Sequence, residues 1–244
     1  MNGTRHQDNP GQKAELLKVL LFDIDGTLLH ASPCGRLAFQ DALCEVTGVD
    51  DCLEDISFHG QTDPIIWRRI CAKHGLVDSE DLEKRFYAIY EQKLEIRLRE
   101  GNGGGRLCPG IPELLEKLSS RPDIFLSILT GNIEYGANAK LKAFGLDRFF
   151  HRGAYGSDHG DRNMLGPIAM ARASAKTGIR IRPDQCWVIG DTPWDIACGK
   201  ALGGRTLGVC TGSFKRDQLI EAGADRVLED LSDMHAFTEV MELS

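Results

Sequence analysis

The 244-residue chain has no apolar run long enough to cross a membrane, and its first eleven residues, Met1 to Gly11, are polar with no signal-peptide core. Basic residues are outnumbered, 29 Lys and Arg against 36 Asp and Glu, for a net charge of −7. That argues against a nucleic-acid surface, which needs clustered cations to neutralise phosphates. The eight cysteines include no CxxC pair, so neither a zinc site nor a disulfide framework is suggested and most are expected to be small buried hydrophobes. There is no internal repeat, and no low-complexity stretch beyond Gly101-Asn102-Gly103-Gly104-Gly105. These absences leave a globular protein expected in the cytoplasm, without nucleic-acid or membrane partners. Its length suits one large domain, or one domain with an inserted partner.

What the sequence does have is a short stretch, Val19-Leu20-Leu21-Phe22-Asp23-Ile24-Asp25-Gly26-Thr27-Leu28. Its apolar half reads as a buried strand. It then breaks into two acids either side of one apolar residue. Buried carboxylates cost several kcal/mol unless paired, so the pair Asp23 and Asp25 calls for a cation. Gly26 offers a turn that exposes backbone amides.

The rest of the chain alternates. After a first strand over Glu15–Phe22, helical periodicity runs from Pro33 to about Arg99, with segments predicted at Gly35–Thr47, Asp63–His74 and Ser79–Glu100. In the second of these Asp63 can cap the helix, with Pro64 in its first turn. The long stripe Leu82 to Leu98 reads as apolar core with a solvated charged face. Gly101–Gly105 reads either as a flexible loop or as one strand of a two-stranded hinge whose other strand is His30–Pro33. Helices predicted at Ile111–Ser119, Glu134–Phe144 and Met164–Lys176 then alternate with strands at Ile124–Leu129, Phe149–Tyr155 and Cys186–Ile189. Strands at Thr206–Val209 and Arg226–Leu228 and two further helices complete the chain. Strands separated by helices imply an α/β architecture, a Rossmann-like parallel sheet with helices on both faces. The organisation predicted is a disordered lead-in (1–14), a core (15–31 and 106–244) and an inserted helical segment (32–105).

In such a sheet the carboxyl ends of all strands share one edge, where ligands bind. Asp23, Thr130 and Asp191 each follow a strand, so three carboxylates (Asp23, Asp25, Asp191) and a hydroxyl converge there. A cluster rich in oxygen and free of His and Cys suits a hard cation, Mg²⁺ above all. Asp195 or Asp63 alone reads equally well as a helix cap.

At this point the residues resemble a family. Asp23-Ile24-Asp25-Gly26-Thr27-Leu28 resembles the first motif of the haloacid dehalogenase-like hydrolases, Thr130-Gly131-Asn132 the second, and Gly190-Asp191-Thr192-Pro193-Trp194-Asp195 the fourth. The third motif is a single base, and Arg162 fits its position, with Lys142 and Lys176 as competitors. The resemblance implies that Asp23 is a nucleophile that forms an aspartyl-phosphate, and that Asp25 is the general acid and then base. It implies Mg²⁺ held by Asp23, the Asp25 backbone carbonyl and Asp191. Thr130, with Gly131, Asn132, Gly26 and Thr27, would hold phosphate oxygens. Arg162 would steady the developing charge, and Asp195 would orient the metal site or pair with the base.

The helical segment has the position and size of the family's helical cap. His59, Gln61, Thr62 and Asp63 resemble the part that faces substrate in the phosphoglycolate phosphatase-like branch; equally, Thr62 and Asp63 could cap a helix and His59 be a loop residue. The family's dehalogenases lack the second acid, so Asp25 favours hydrolysis of a small phosphate ester. A sugar phosphomutase and a catalytically quiet phospholigand-binding member are the alternatives. Neither the ester nor the oligomeric state is specified by the sequence.

Overall fold

Alternate residues of Lys18–Phe22 (β1) point to opposite faces and all are apolar after Lys18, as a strand covered on both sides requires. Leu20 and Phe22 join a core with Ile111–Ser119 (α4), Glu134–Ala143 (α5) and Met234–Val240 (α9). Val19 and Leu21 join a second core with Leu165–Thr177 (α6) and Pro193–Leu202 (α7). Each such buried side chain contributes roughly 1.5–3 kcal/mol. β1 is thus the spine of the computed structural model, which describes residues 17–31, 33–101 and 105–243. The expected lead-in (1–14) lies outside the described residues, as do the junction residues 32 and 102–104.

Six parallel strands form the sheet: β1, Ile124–Leu129 (β4), His151–Ala154 (β5), Cys186–Gly190 (β6), Arg205–Val209 (β7) and Arg226–Leu228 (β8), in the order β5-β4-β1-β6-β7-β8. This is a Rossmann-like α/β fold. The strand expected at Phe149–Tyr155 is shorter because a 3₁₀ turn, Asp147–Phe149, occupies its start. Likewise α6 is preceded by a 3₁₀ turn, Arg162–Met164. Arg216–Glu221 (α8) covers the far end of the sheet.

Between β1 and α4 lie three helices, Cys34–Thr47 (α1), Asp63–His74 (α2) and Glu80–Arg99 (α3). They pack around Phe39, Trp67, Phe86 and Tyr90, with Trp67 stacked on Phe86 at 4.2 Å and Phe39 edge-on to Tyr90 at 4.5 Å. The chain enters and leaves this layer through a two-stranded antiparallel pair, Leu29–His30 (β2) with Arg106–Leu107 (β3). The pairing therefore falls just outside the glycine run, because residues with side chains hold a ladder better than glycines do.

The expected cap at Asp63 is not made. Thr62 is the N-cap residue of α2 but its side chain does not bond its own helix, and Asp63 is the first helical residue. Both side chains reach away from the helix, as described below. Among the described residues no helix is long and apolar enough to cross a membrane. Among the described residues no disulfide joins the cysteines; five are buried, Cys44 and Cys52 are exposed, and Cys210 is half-buried.

Candidate active site

The sheet register assembles the site. Phe22 pairs with Ile128 on one side and Ile189 on the other, and the Asp23 amide donates to the Ile189 carbonyl at 2.9 Å. Asp23, Thr130 and Asp191 therefore leave neighbouring strands at the same level. Ile24 is fully buried below them, which turns Asp23 and Asp25 to different surroundings. Gly26 follows at φ +87°, where a Cβ would meet the Asp191 carboxylate, so only glycine permits the turn.

Asp23 is 5% exposed and Arg162, also buried, lies 3.1 Å from its Oδ1. The same guanidinium nitrogen donates to Asp195 Oδ1. The other Asp195 oxygen is held by Thr192, from its amide at 3.0 Å and its hydroxyl at 2.6 Å, in the capping box that starts α7. One residue thus caps a helix and anchors the arginine. Asp191 Oδ1 accepts from the Thr27 hydroxyl at 3.1 Å. Three carboxylates, Asp23, Asp191 and Asp195, bring oxygens within 4.8 Å of one another, and Arg162 pairs with two of them, Asp23 and Asp195. Burial accordingly pushes the Asp23 carboxyl up to about 7, with Arg162 opposing and Asp195 and Asp25 adding to the rise. Asp191 is raised well above the carboxylate range, by burial first and then by Asp195 and Asp23.

Asp25 meets a different cation. Lys140, from the second turn of α5 and 4% exposed, donates from Nζ to Asp25 Oδ2 at 2.5 Å and to Asn132 Oδ1 at 2.8 Å. The Asn132 amide donates in turn to Asp25 Oδ2 at 2.8 Å and to the Thr130 hydroxyl at 2.9 Å. Hydrogen bonds therefore link Lys140, Asp25 and Thr130 through Asn132. Sequence reasoning missed Lys140, which gives no signal beyond being a lysine in an ordinary amphipathic helix. Lys142 and Lys176, weighed against Arg162, are exposed on their helices.

A cavity of about 210 Å³ opens over these groups, with Asp23, Asp25, Thr130, Lys140 and Arg162 on one wall and residues of the helical layer on the other. His59 and Gln61 line it, with Arg36 and Tyr90. Thr62 does not: it is buried and its hydroxyl donates to the Gly160 carbonyl at 2.6 Å. Thr27 and Gly26 are also absent from the cavity wall; Thr27 is fully buried behind Asp191, and the Gly26 carbonyl accepts from the Thr211 hydroxyl at 2.6 Å. All three support the walls of the cavity, and none offers a side chain to a ligand. Gly131 does line it, and packs so closely on the Gln61 carbonyl that no Cβ would fit. Asp63, 6% exposed, accepts from the Ile133 amide at 2.8 Å; burial pushes its carboxyl up to about 7, with Lys140 opposing.

The donor set fits a hard divalent cation. Only oxygens are offered, they are buried, and the protein's own arginine leaves two of the three carboxylates far short of compensation. Both Asp195 oxygens are engaged by Arg162 and Thr192, which leaves Asp23 and Asp191 as the side chains free to bind metal. The Asp25 carboxylate is turned to Lys140 and lies outside that cluster.

Comparison with known proteins agrees with this architecture. The family profile described as haloacid dehalogenase-like hydrolase matches residues 17–203. A phosphoglycolate phosphatase of Rhodospirillum rubrum is 27% identical over 231 residues, covering 89% of each chain. One from Haemophilus influenzae is 25% identical and matches 89% of this chain and 96% of its own. Among solved structures, a hydrolase from Pseudomonas syringae superposes with a TM-score of 0.69 at 24% identity, over 93% of this chain and 99% of that one. CbbY from Rhodobacter sphaeroides in complex with phosphate does so with a TM-score of 0.71 at 21% identity, over 89% of this chain and 96% of that one. With a profile match that spans most of its length and the strand-end acids in place, the chain belongs to the haloacid dehalogenase-like hydrolase family, in its phosphoglycolate phosphatase-like branch.

Proposed function

We propose that the protein is a Mg²⁺-dependent phosphatase that hydrolyses a small phosphomonoester through an aspartyl-phosphate on Asp23. The observation that carries this reading is the meeting of Asp23, Asp25, Thr130 and Arg162 on one wall of a cavity whose other wall is the helical layer. Asp23 attacks phosphorus, and its bond to phosphorus replaces the bond to the ester oxygen. Asp25 gives its proton to that leaving oxygen, then takes one from the water that cleaves the acyl phosphate. Thr130 and the backbone after it hold phosphate oxygens. Arg162 draws off developing charge, and among the described residues its buried Nε has no partner, so one donor is spare. Asp23, Asp191 and the Asp25 carbonyl would hold Mg²⁺, which when bound offsets repulsion between the anionic nucleophile and an anionic phosphate. Asp195 keeps Arg162 in place.

Residues 32–105 act in this reading as a cap on a core of 15–31 and 106–244, excluding water and presenting His59 and Gln61 to the substrate. A cavity of about 210 Å³ suits a small phosphate ester. The relatives' names point to phosphoglycolate or a molecule like it. The test is purified protein with Mg²⁺ against p-nitrophenyl phosphate and a panel of small phosphomonoesters, with and without chelator. Release that chelator abolishes is expected. Release insensitive to chelator would discredit the metal, and no release across the panel would favour a phospholigand-binding protein.

A further inference from the structure

Helix α5 begins at a residue that cannot cap it. Ile133 is its N-cap position, has no side chain able to accept a hydrogen bond, and is itself packed into the aromatic core of the helical layer. The carboxylate that accepts from the Ile133 amide comes from another segment: it is Asp63, at the start of α2. The backbone of the same residue turns the other way and donates to the Gly131 carbonyl at 2.8 Å. One residue of the helical layer therefore takes both a donor and an acceptor of the loop Thr130–Ile133, and the preceding Thr62 hydroxyl holds the Gly160 carbonyl.

A carboxylate is a costly choice for such a place, since a buried charge is penalised where a neutral acceptor would serve. Two features offset it. The N-terminal end of α5 carries partial positive charge, and Lys140 on that helix attracts it. The helix so capped is the one that delivers Lys140 to Asp25, and the loop so held is the one that delivers Thr130 and Asn132. We infer that Asp63 is a positioning residue that caps α5 from the adjoining helical layer, so that the loop Thr130–Ile133 and Lys140 are aligned on Asp23 and Asp25 only while that layer is seated. This rests on the phosphatase reading given above.

The experiment compares wild type with Asp63→Asn and Asp63→Ala. Asn keeps an acceptor for the Ile133 amide; Ala removes it. With p-nitrophenyl phosphate and Mg²⁺, Asp63→Ala should lose on the order of 10²-fold in kcat with a much smaller change in KM, the penalty of misaligned reacting groups. Asp63→Asn should recover most of that rate. Peptide-level hydrogen–deuterium exchange, read without substrate or metal, should show faster exchange over residues 130–137 in Asp63→Ala and near-wild-type exchange in Asp63→Asn, with β1 and β6 unchanged in both. Unchanged exchange over that segment in Asp63→Ala would overturn the inference, as would an Asn variant no better than Ala. If wild type releases no phosphate, the phosphatase reading fails on its own, and the exchange measurement still decides whether Asp63 holds the loop.

Discussion

Replacing Asp23 with Asn is expected to make the metal-free protein more stable while ending turnover. Burial holds the Asp23 carboxyl up at about 7, against 3.8 ordinarily, with Arg162 opposing and the neighbouring acids adding. Between about pH 4 and about pH 7 the folded chain thus keeps a proton that the unfolded chain has released, and stability falls as pH rises through that interval. At about 1.36 kcal/mol per pH unit, the loss is complete above pH 7 and reaches about 4 kcal/mol, the attraction of Arg162 already included. Asn is neutral and of the same shape, and can still accept from Arg162. At about pH 8 the variant should gain about 1–4 kcal/mol, or roughly 2–16 °C in Tm for a chain of this size. The gap should narrow as pH falls and close only near pH 4, where the unfolded chain keeps this proton as well. The assay is thermal unfolding followed by circular dichroism in chelator-treated protein across that pH range. Adding Mg²⁺ at about a hundred times its Kd should stabilise wild type by about 2.7 kcal/mol at the higher pH, and Asp23→Asn by less. A variant no more stable than wild type at pH 8, or a gap that does not change with pH, would refute the picture of Asp23 and Asp191 as buried acids undercompensated by Arg162.

Three further outcomes follow from the geometry. Lys140→Met keeps the length of the side chain but removes the ammonium from Asp25 and Asn132; kcat against p-nitrophenyl phosphate should fall on the order of 10²-fold, the scale of acid–base assistance, with the circular dichroism spectrum unchanged. Gly131→Ala drives a methyl into the Gln61 carbonyl, so stability should drop by about 1–3 kcal/mol and activity should fall with it, as denaturant titration and turnover would show. Phe86→Ala empties the centre of the helical layer, where the ring stacks on Trp67 and touches Phe39; the cost should be about 3–5 kcal/mol, read from the shift of the denaturation midpoint.

The sheet and its acids were legible in the sequence because the two signals coincide. β1, β4 and β6 are apolar on both faces and each stops at a polar residue, which a strand buried between helices would not otherwise do. Asp23, Thr130 and Asp191 could be placed on one edge from that alone. Lys140 could not. Its role depends on the rotational phase of α5 against β1, and that phase is set by Ala137 and Leu141 packing on the sheet, a tertiary fact. Thr62 and Asp63 carried the local pattern of a helix start, yet the surrounding loops compete for their side chains and win, since each bond across the interface is made by groups already buried. The strand pair β2 and β3 was displaced from its expected position for a local reason, the poverty of glycine as a ladder residue. Thr27 illustrates a further limit: a hydroxyl after an acid motif reads as a ligand group, whereas here it is spent on fixing Asp191.

The pairing of Leu29 with Leu107 and His30 with Arg106 carries a last consequence. It brings the two ends of a long excursion side by side, so the catalytic framework meets the same doorway whatever length of chain lies beyond it. Because closing a longer loop adds only about 0.6 kcal/mol per doubling of its length, the excursion can be lengthened, shortened or exchanged with little effect on how the sheet assembles. If the helical layer acts as the proposed cap, a graft of another insert onto this threshold could change specificity, provided it brings an acceptor to the Ile133 amide where Asp63 now stands.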